Sequence, residues 1–291
     1  MSAKFNLFLI GASKSGTTSV WKVLNDSSKI AMCPVKEPCI FSYSDYSEKV
    51  KKAFASDWWD REGLDFIGEA SPVYSEVLLG PKIPNRIFSH NPEAKIILIV
   101  RNPVDRILSV WRQTKNTGHD HREMYMNKTD VSVGLMSRNF SKAIRTYPPF
   151  VDASKYWSIY QAYAAVFPEA QIKVLLYEEL KRRPGAFYSE LFDFLGISCH
   201  KNVSVNTKVN VGEGKRSSSG IYWTFKNSVF SRCVKKLFPG LGKMLNPLLS
   251  KEIKITEAMR AKVKALVHEE LIEESEMILK YCGKDRSYWE L

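Results

Sequence analysis

Three stretches of the chain are predominantly apolar and short: Phe5–Ile10 (FNLFLI), Lys95–Val100 (KIILIV) and Ile172–Tyr177 (IKVLLY). Runs of this length, ended by turn signals, predict strands buried on both faces of a parallel sheet. Each is followed by a helical pattern. Beyond Gly11 the spacing predicts a helix from Thr17 or Thr18 with Val20, Trp21, Val23 and Leu24 on its apolar side. Beyond Val100 a helix starts near Val104, and beyond the third run one passes through Phe187–Leu195 and ends at Gly196. Ile67–Gly68 reads as a shorter strand, Pro81–Arg86 as a helix start, and Pro34–Phe41, with two prolines, as a loop. Met124–Pro149 is polar and reads as an irregular excursion, while the chain from Gly220 onward is helical in pattern, amphipathic over Glu257–Tyr281. Strands alternating with helices predict an α/β fold, a P-loop-like parallel sheet flanked by helices on both faces. We expect one domain over 1–291: an α/β core at 1–200, a basic loop at 201–219 and a basic helical region at 220–291.

Composition narrows the class. The 291 residues are 44% hydrophobic and 25% charged, as in globular proteins that bury a full core. Phe5–Ile10 is too short for a membrane span or a signal sequence, and no other stretch is long enough, so a cytoplasmic protein with no transmembrane segment is expected. Five cysteines (33, 39, 199, 233 and 282) form an odd set without CxxC spacing or suitably placed histidines. They are read as reduced thiols, and no metal site is expected. The net charge is +12, and Val205–Ala265 holds thirteen Lys and Arg against three acids. Such a region suits an anionic partner, although a charge run alone more often marks a solvated helical face.

The first strand runs into Gly11-Ala12-Ser13-Lys14-Ser15-Gly16-Thr17-Thr18. Strand, small-residue loop and helix start together make an anion site, because unpaired backbone N–H groups and the positive helix end converge. The glycine spacing fits the common nucleotide loop GxxxxGK[ST], but Thr17 stands where its lysine would be, and Lys14 lies within the loop. The ammonium is thereby expected beside a phosphate rather than beyond it. The sequence Lys14-Ser15-Gly16-Thr17-Thr18 after an N-terminal strand resembles the 5′-phosphosulfate loop of sulfotransferases that use 3′-phosphoadenosine-5′-phosphosulfate (PAPS). The resemblance implies that Lys14 touches the oxygen bridging phosphate and sulfate, and that Ser15, Gly16, Thr17 and Thr18 hold the 5′-phosphate.

Arg101-Asn102-Pro103 follows the second strand, with Arg106 and Ser109 beyond it. A cation at the carboxyl end of a buried strand lies where α/β sheets bind ligands, and Arg recognises phosphate oxygens in a planar, bidentate way. The stretch is similar to the family's 3′-phosphate element R-[DN]-P-x-x-R-x-x-S. That implies 3′-phosphate contacts from Arg101 and Ser109, with Arg106 structural.

Lys36-Glu37-Pro38, with Phe41, resembles the segment that carries the catalytic carboxylate of glycosaminoglycan-type sulfotransferases; those acting on steroids and phenols use histidine. Glu37 is therefore the candidate base. A solvated carboxyl, near ~4.3, is a weak base, so partial burial is expected; a loop ion pair with Lys36 is the competing reading. Glu69-Ala70-Ser71-Pro72-Val73-Tyr74 resembles the family's E-K-[TS]-P-x-Y segment with Ala70 in place of its lysine, which speaks against a heparan-like acceptor. Glu69 is read either as a contact to a cationic acceptor or as a brace for the loop. Lys208–Ser219 resembles the late basic loop over the adenosine and 3′-phosphate, with Lys215 and Arg216 as the matching cations. His90 reads as structural; His119 and His121 lie where acceptors bind in this family.

The expected function is sulfuryl transfer from PAPS, without metal, to a hydroxyl or amine of a small-molecule or glycan acceptor, with Lys14 stabilising the leaving phosphate. Two alternatives remain open. A P-loop kinase predicts a lysine after Gly16 and Mg²⁺ dependence. A non-catalytic binder of nucleic acid or membrane predicts aromatics interleaved with the basic residues, for which only Tyr222, Trp223 and Phe225 stand in place. No nucleic-acid partner is expected.

Overall fold

The computed structural model describes residues 4–117, 136–137, 139–198, 217–218, 250–251 and 254–291. Five parallel strands, β1 (Leu7–Gly11), β2 (Ile30–Met32), β3 (Phe66–Ala70), β4 (Lys95–Val100) and β5 (Ile172–Leu176), form one sheet in the order β2-β3-β1-β4-β5. The three apolar runs are its centre and one flank. Their side chains alternate between two cores. Phe8, Ile10, Ile96, Leu98, Val100 and Val174 pack in one cluster, while Leu7, Leu9, Ile97, Ile99 and Leu175 pack in the other. Burial on both faces explains why these strands lack the polar alternation of a half-exposed sheet.

The helix α1 (Thr17–Asn25) joins the second cluster through Val20, Val23 and Leu24, together with Leu191 and Leu195 of the helix Pro184–Leu195. Gly196, at φ 68°, ends that helix. The opposite face is covered by α3 (Lys82–His90), α4 (Pro103–Thr117) and the helices Tyr156–Ala164, Glu257–Glu270 and Ile272–Tyr281. The single α/β fold with helices on both faces is therefore as the sequence predicts.

Several details differ from expectation. The stretch taken as irregular up to Pro149 contains the helices Phe140–Thr146 and Pro148–Val151. Asn139 caps the first by accepting the Lys142 N–H at 3.0 Å, and Phe140 packs edge-on to Trp111 at 4.9 Å. Strand β2, the helix α2 (Tyr46–Ala53) and the helix Tyr156–Ala164 were not expected. Outside the main sheet, Ser217–Ser218 and Ser250–Lys251 form a two-residue antiparallel pair.

The connections set the site. The chain leaves β1 toward β2 on one side of the sheet and leaves β4 toward β5 on the other. At such a divergence the loops part and leave a crevice at the carboxyl ends of the strands. The Lys14 loop and Arg101 lie on its two sides.

Candidate active site

Strand β1 ends at Gly11 and the loop ends at Gly16, and both positions require glycine. A Cβ on Gly11, at φ 147°, would lie 2.2 Å from Ser75 Oγ; one on Gly16, at φ 85°, would lie 3.0 Å from side-chain carbons of Tyr177 and Leu180. The loop is thus pressed against its neighbours and follows one path. Among the described residues no side chain caps α1 and no acid occupies its first turn, so the positive end of this helix faces the loop uncompensated. Ser15 is completely buried, and its Oγ has no hydrogen-bond partner. A buried hydroxyl without a partner, at a helix start in a glycine-walled loop, is the arrangement a phosphate oxygen would satisfy.

The second motif meets the first directly. Arg101 Nη1 donates to the Lys14 carbonyl at 2.8 Å, and the guanidinium lies over the Tyr177 ring at 4.6 Å. Tyr156 Oη donates to the Arg101 carbonyl at 2.8 Å, fixing the backbone of the corner. Arg101 Nε is buried without a partner, a second donor suited to an anion. Asn102 caps α4, its Oδ1 accepting the Val104 N–H at 2.9 Å. Ser109 lies in α4, partly buried, about two turns beyond the corner. Arg106 is completely buried and donates to Ser154 Oγ at 2.6 Å, to the Pro149 and Phe150 carbonyls, and to Ser13 Oγ at 3.4 Å. It ties the Lys14 loop to the turn at 149–154. Sequence reasoning missed this partner set, together with Tyr156 and Tyr177, because all lie far away in the chain.

The two acids differ sharply. Glu37 sits at φ 54°, its side chain 35% exposed and its Oε1 3.3 Å from Lys36 Nζ. Both features the sequence weighed are present: partial burial and the loop ion pair. Glu69, in β3, is completely buried. Its carboxylate accepts Ser71 Oγ at 2.5 Å and Tyr74 Oη at 2.7 and 2.9 Å, and it also takes the Ile40 backbone N–H. Ser71 Oγ in turn accepts the Cys39 N–H and Tyr74 Oη the Phe41 N–H, each at 2.9 Å. Three successive amides of the Glu37 segment, 39 to 41, thus run directly or through a hydroxyl into one carboxylate. Burial pushes that carboxyl up to about 7, against the three hydrogen bonds that favour its charged form. The position of Glu69 in its motif was legible from sequence; its partners thirty residues upstream were not.

His90 is structural. Its Nε2 accepts the Phe5 N–H at 3.1 Å, and burial holds the imidazole down at about 4. His119, His121, Lys215 and Arg216 lie outside the described residues, as does most of the basic 205–265 stretch. Among the described residues no group of His, Cys, Asp and Glu is arranged to hold a metal, and no helix is long and apolar enough to cross a membrane.

Comparison with known proteins agrees with this geometry. The family described as "Sulfotransferase domain" matches residues 5–237. The chain is 24% identical over 268 residues to the membrane-associated sulfotransferase kil1 of Dictyostelium discoideum, covering 66% of this chain and 56% of that protein. It is 26% identical over 221 residues to human bifunctional heparan sulfate N-deacetylase/N-sulfotransferase 2, covering 71% of this chain and 23% of that protein. The chain therefore spans about half and about a quarter of the lengths of these two relatives. In fold it resembles a sulfotransferase from Alicyclobacillus acidocaldarius, with a TM-score of 0.60 at 20% identity and both chains covered completely. With four-fifths of its length matched, and the matched region holding the Lys14 loop and the Arg101 corner after adjacent strands, this chain belongs to the sulfotransferase domain family.

Proposed function

We propose that this protein transfers a sulfuryl group from PAPS to a hydroxyl or amine of a small-molecule or glycan acceptor in a cytoplasmic setting. The observation that carries the reading is the 2.8 Å bond from Arg101 Nη1 to the Lys14 carbonyl. It brings the loop proposed for the 5′-phosphate beside the corner proposed for the 3′-phosphate, which supports a nucleotide phosphorylated on both sides of its ribose. The residues present fit such a molecule: Ser15 Oγ and Arg101 Nε are buried donors in want of acceptors, and the glycine walls bring backbone amides close. Bound PAPS would supply a sulfuryl group on a phosphate leaving group.

The chain's own residues then have distinct tasks. Ser15, Gly16, Thr17 and Thr18 hold the 5′-phosphate at the start of α1. Arg101 and Ser109 hold the 3′-phosphate, with Lys215 and Arg216 completing that side. Lys14 neutralises the charge that develops on the phosphate oxygen as its bond to sulfur breaks. Glu37 takes the proton that the acceptor gives up as its bond to sulfur forms, a role open to it because its carboxylate is part-exposed. Glu69 is sealed from solvent and is assigned to bracing the Glu37 segment rather than to an acceptor. His119 and His121 are retained as acceptor contacts.

Thermal shift tests the reading. 3′-Phosphoadenosine-5′-phosphate (PAP) should raise the melting temperature well above the effect of ATP with Mg²⁺, since ATP lacks the 3′-phosphate. Equal stabilisation by ATP with Mg²⁺ would favour a kinase instead.

A further inference from the structure

The corner that carries Arg101 is not held by its own strand and helix alone. Asn102 donates its backbone N–H to Glu178 Oε1 at 3.0 Å and its side-chain Nδ2 to the Trp289 carbonyl at 2.7 Å. The other oxygen of Glu178 accepts Trp289 Nε1 at 3.1 Å. Asn102, Glu178 and Trp289 therefore close a triangle of hydrogen bonds among three segments of the chain. Trp289 is 2% exposed, and its ring lies 6.0 Å from that of Tyr156, whose hydroxyl holds the Arg101 carbonyl. The turn that bears it, Arg286–Trp289, is itself anchored. Asp285 Oδ1 accepts the Ser287 N–H at 2.8 Å, and Tyr288 Oη donates to Glu179 Oε1 at 2.9 Å.

We infer that the turn Arg286–Trp289 is a positioning element for the 3′-phosphate corner, acting through Asn102 and Glu178 on the aim of Arg101. This rests on the sulfotransferase reading above and adds a specificity role to residues beyond the family match, which ends at 237. Arg101 is fixed on one side by the Lys14 carbonyl and the Tyr177 ring, and its backbone direction is set by the bonds at residues 101 and 102. Bidentate recognition of a phosphate tolerates little rotation of the guanidinium plane, so loosening Asn102 degrades the 3′ contact first. The 5′ loop shares none of the three triangle residues and should keep its own affinity.

Isothermal titration with PAP and with 5′-AMP, which shares everything but the 3′-phosphate, separates the two ends. The proteins to compare are wild type, Trp289→Ala, Trp289→Phe and Glu178→Gln, each checked for folding by circular dichroism. Glu178→Gln keeps one acceptor and turns an N–H₂ toward a donor, breaking one side of the triangle. Trp289→Phe keeps the ring against Tyr156 and removes the indole N–H. The expected result is a fall in the PAP-to-AMP affinity ratio of about five- to tenfold in Trp289→Ala and Glu178→Gln, the scale of one lost hydrogen bond. A smaller fall is expected in Trp289→Phe, with AMP affinity unchanged throughout. Equal weakening of both ligands, or an unchanged ratio in folded variants, overturns the inference. Should Trp289→Ala not fold, Glu178→Gln and Trp289→Phe decide. A wild type without preference for PAP removes the cofactor reading itself, a failure distinct from unaltered selectivity in the variants.

Discussion

Replacing Glu69 by Gln should change how stability depends on pH, by an amount that follows from the carboxyl's burial. Glu69 has no exposed surface, and burial lifts its titration from the ordinary 4.5 to about 7. The native state therefore binds this proton more tightly than the unfolded chain. The resulting stability is fully present below 4.5 and is lost as pH rises from there through 7. Over that window the loss amounts to about 3 kcal/mol, the free-energy equivalent of the difference between the two values. Gln cannot titrate. It will be less stable than the wild type at pH 5 by an offset reflecting the altered bonds to Ser71, Tyr74 and Ile40. That offset does not depend on pH.

The difference between the two proteins is thus the clean quantity. Urea unfolding at pH 5, 6, 7 and 8 should show the wild type losing most of that, about 2–3 kcal/mol, relative to Glu69→Gln across the series. His90, held down at about 4, titrates identically in both proteins and cancels. A flat difference across the series would refute the reasoning, for it would mean that the hydrogen bonds match or outweigh burial and keep Glu69 ionised throughout.

Other expectations are simpler. In steady-state kinetics and titration calorimetry, Arg101→Ala should weaken PAP binding by about 1.5–3 kcal/mol, the scale of a charge-assisted hydrogen bond, while Lys14→Ala should depress turnover more than binding. Gly11→Ala should destabilise by at least about 1–3 kcal/mol in chemical denaturation, because its Cβ would meet Ser75 at 2.2 Å in a backbone conformation that L-residues avoid. Glu37→Gln should lower turnover roughly 10²–10⁴-fold with PAP affinity and melting temperature unchanged; a parallel fall in all three would make Glu37 a structural residue.

What could be read from the sequence was what local pattern encodes. Lys95–Val100 has no polar residue after its first position, and burial on both faces of a sheet leaves little alternative for six such residues. The loop Gly11–Thr18 was legible as a strand-to-helix connection because its glycines, lysine and hydroxyls fall within eight residues between an apolar run and a helical pattern. Strand β2 was not, because three residues carry no period. The helix Tyr46–Ala53 has no fully buried residue, and its apolar stripe of Tyr46, Val50 and Ala53, at i, i+4 and i+7, spans only two turns of a charged sequence. The helix Tyr156–Ala164 (YWSIYQAYA) buries Tyr156, Ile159, Tyr160 and Tyr163, and its aromatic content reads as easily as strand. The triangle of Asn102, Glu178 and Trp289 depends on which elements the sheet order brings together, information that no local window contains.

The contrast between Glu37 and Glu69 bears on how acids in such sites should be assigned. By titration alone Glu69 would be chosen as the base, since a carboxyl lifted to about 7 is poised for proton transfer at neutral pH. Access argues otherwise. Its oxygens are taken by Ser71, Tyr74 and the Ile40 amide, and no surface is left through which an acceptor hydroxyl could reach them. Geometry ranks ahead of titration for a general base, because a proton moves only across a hydrogen bond. Glu37 has the access, and the segment that follows it is held to β3 through the three amides of residues 39 to 41. The buried acid thus stiffens the segment that carries the accessible one, the base of the proposed reaction. Loss of Glu69 should accordingly reach turnover by displacing Glu37, and the distance dependence of proton transfer makes even a 1 Å displacement costly.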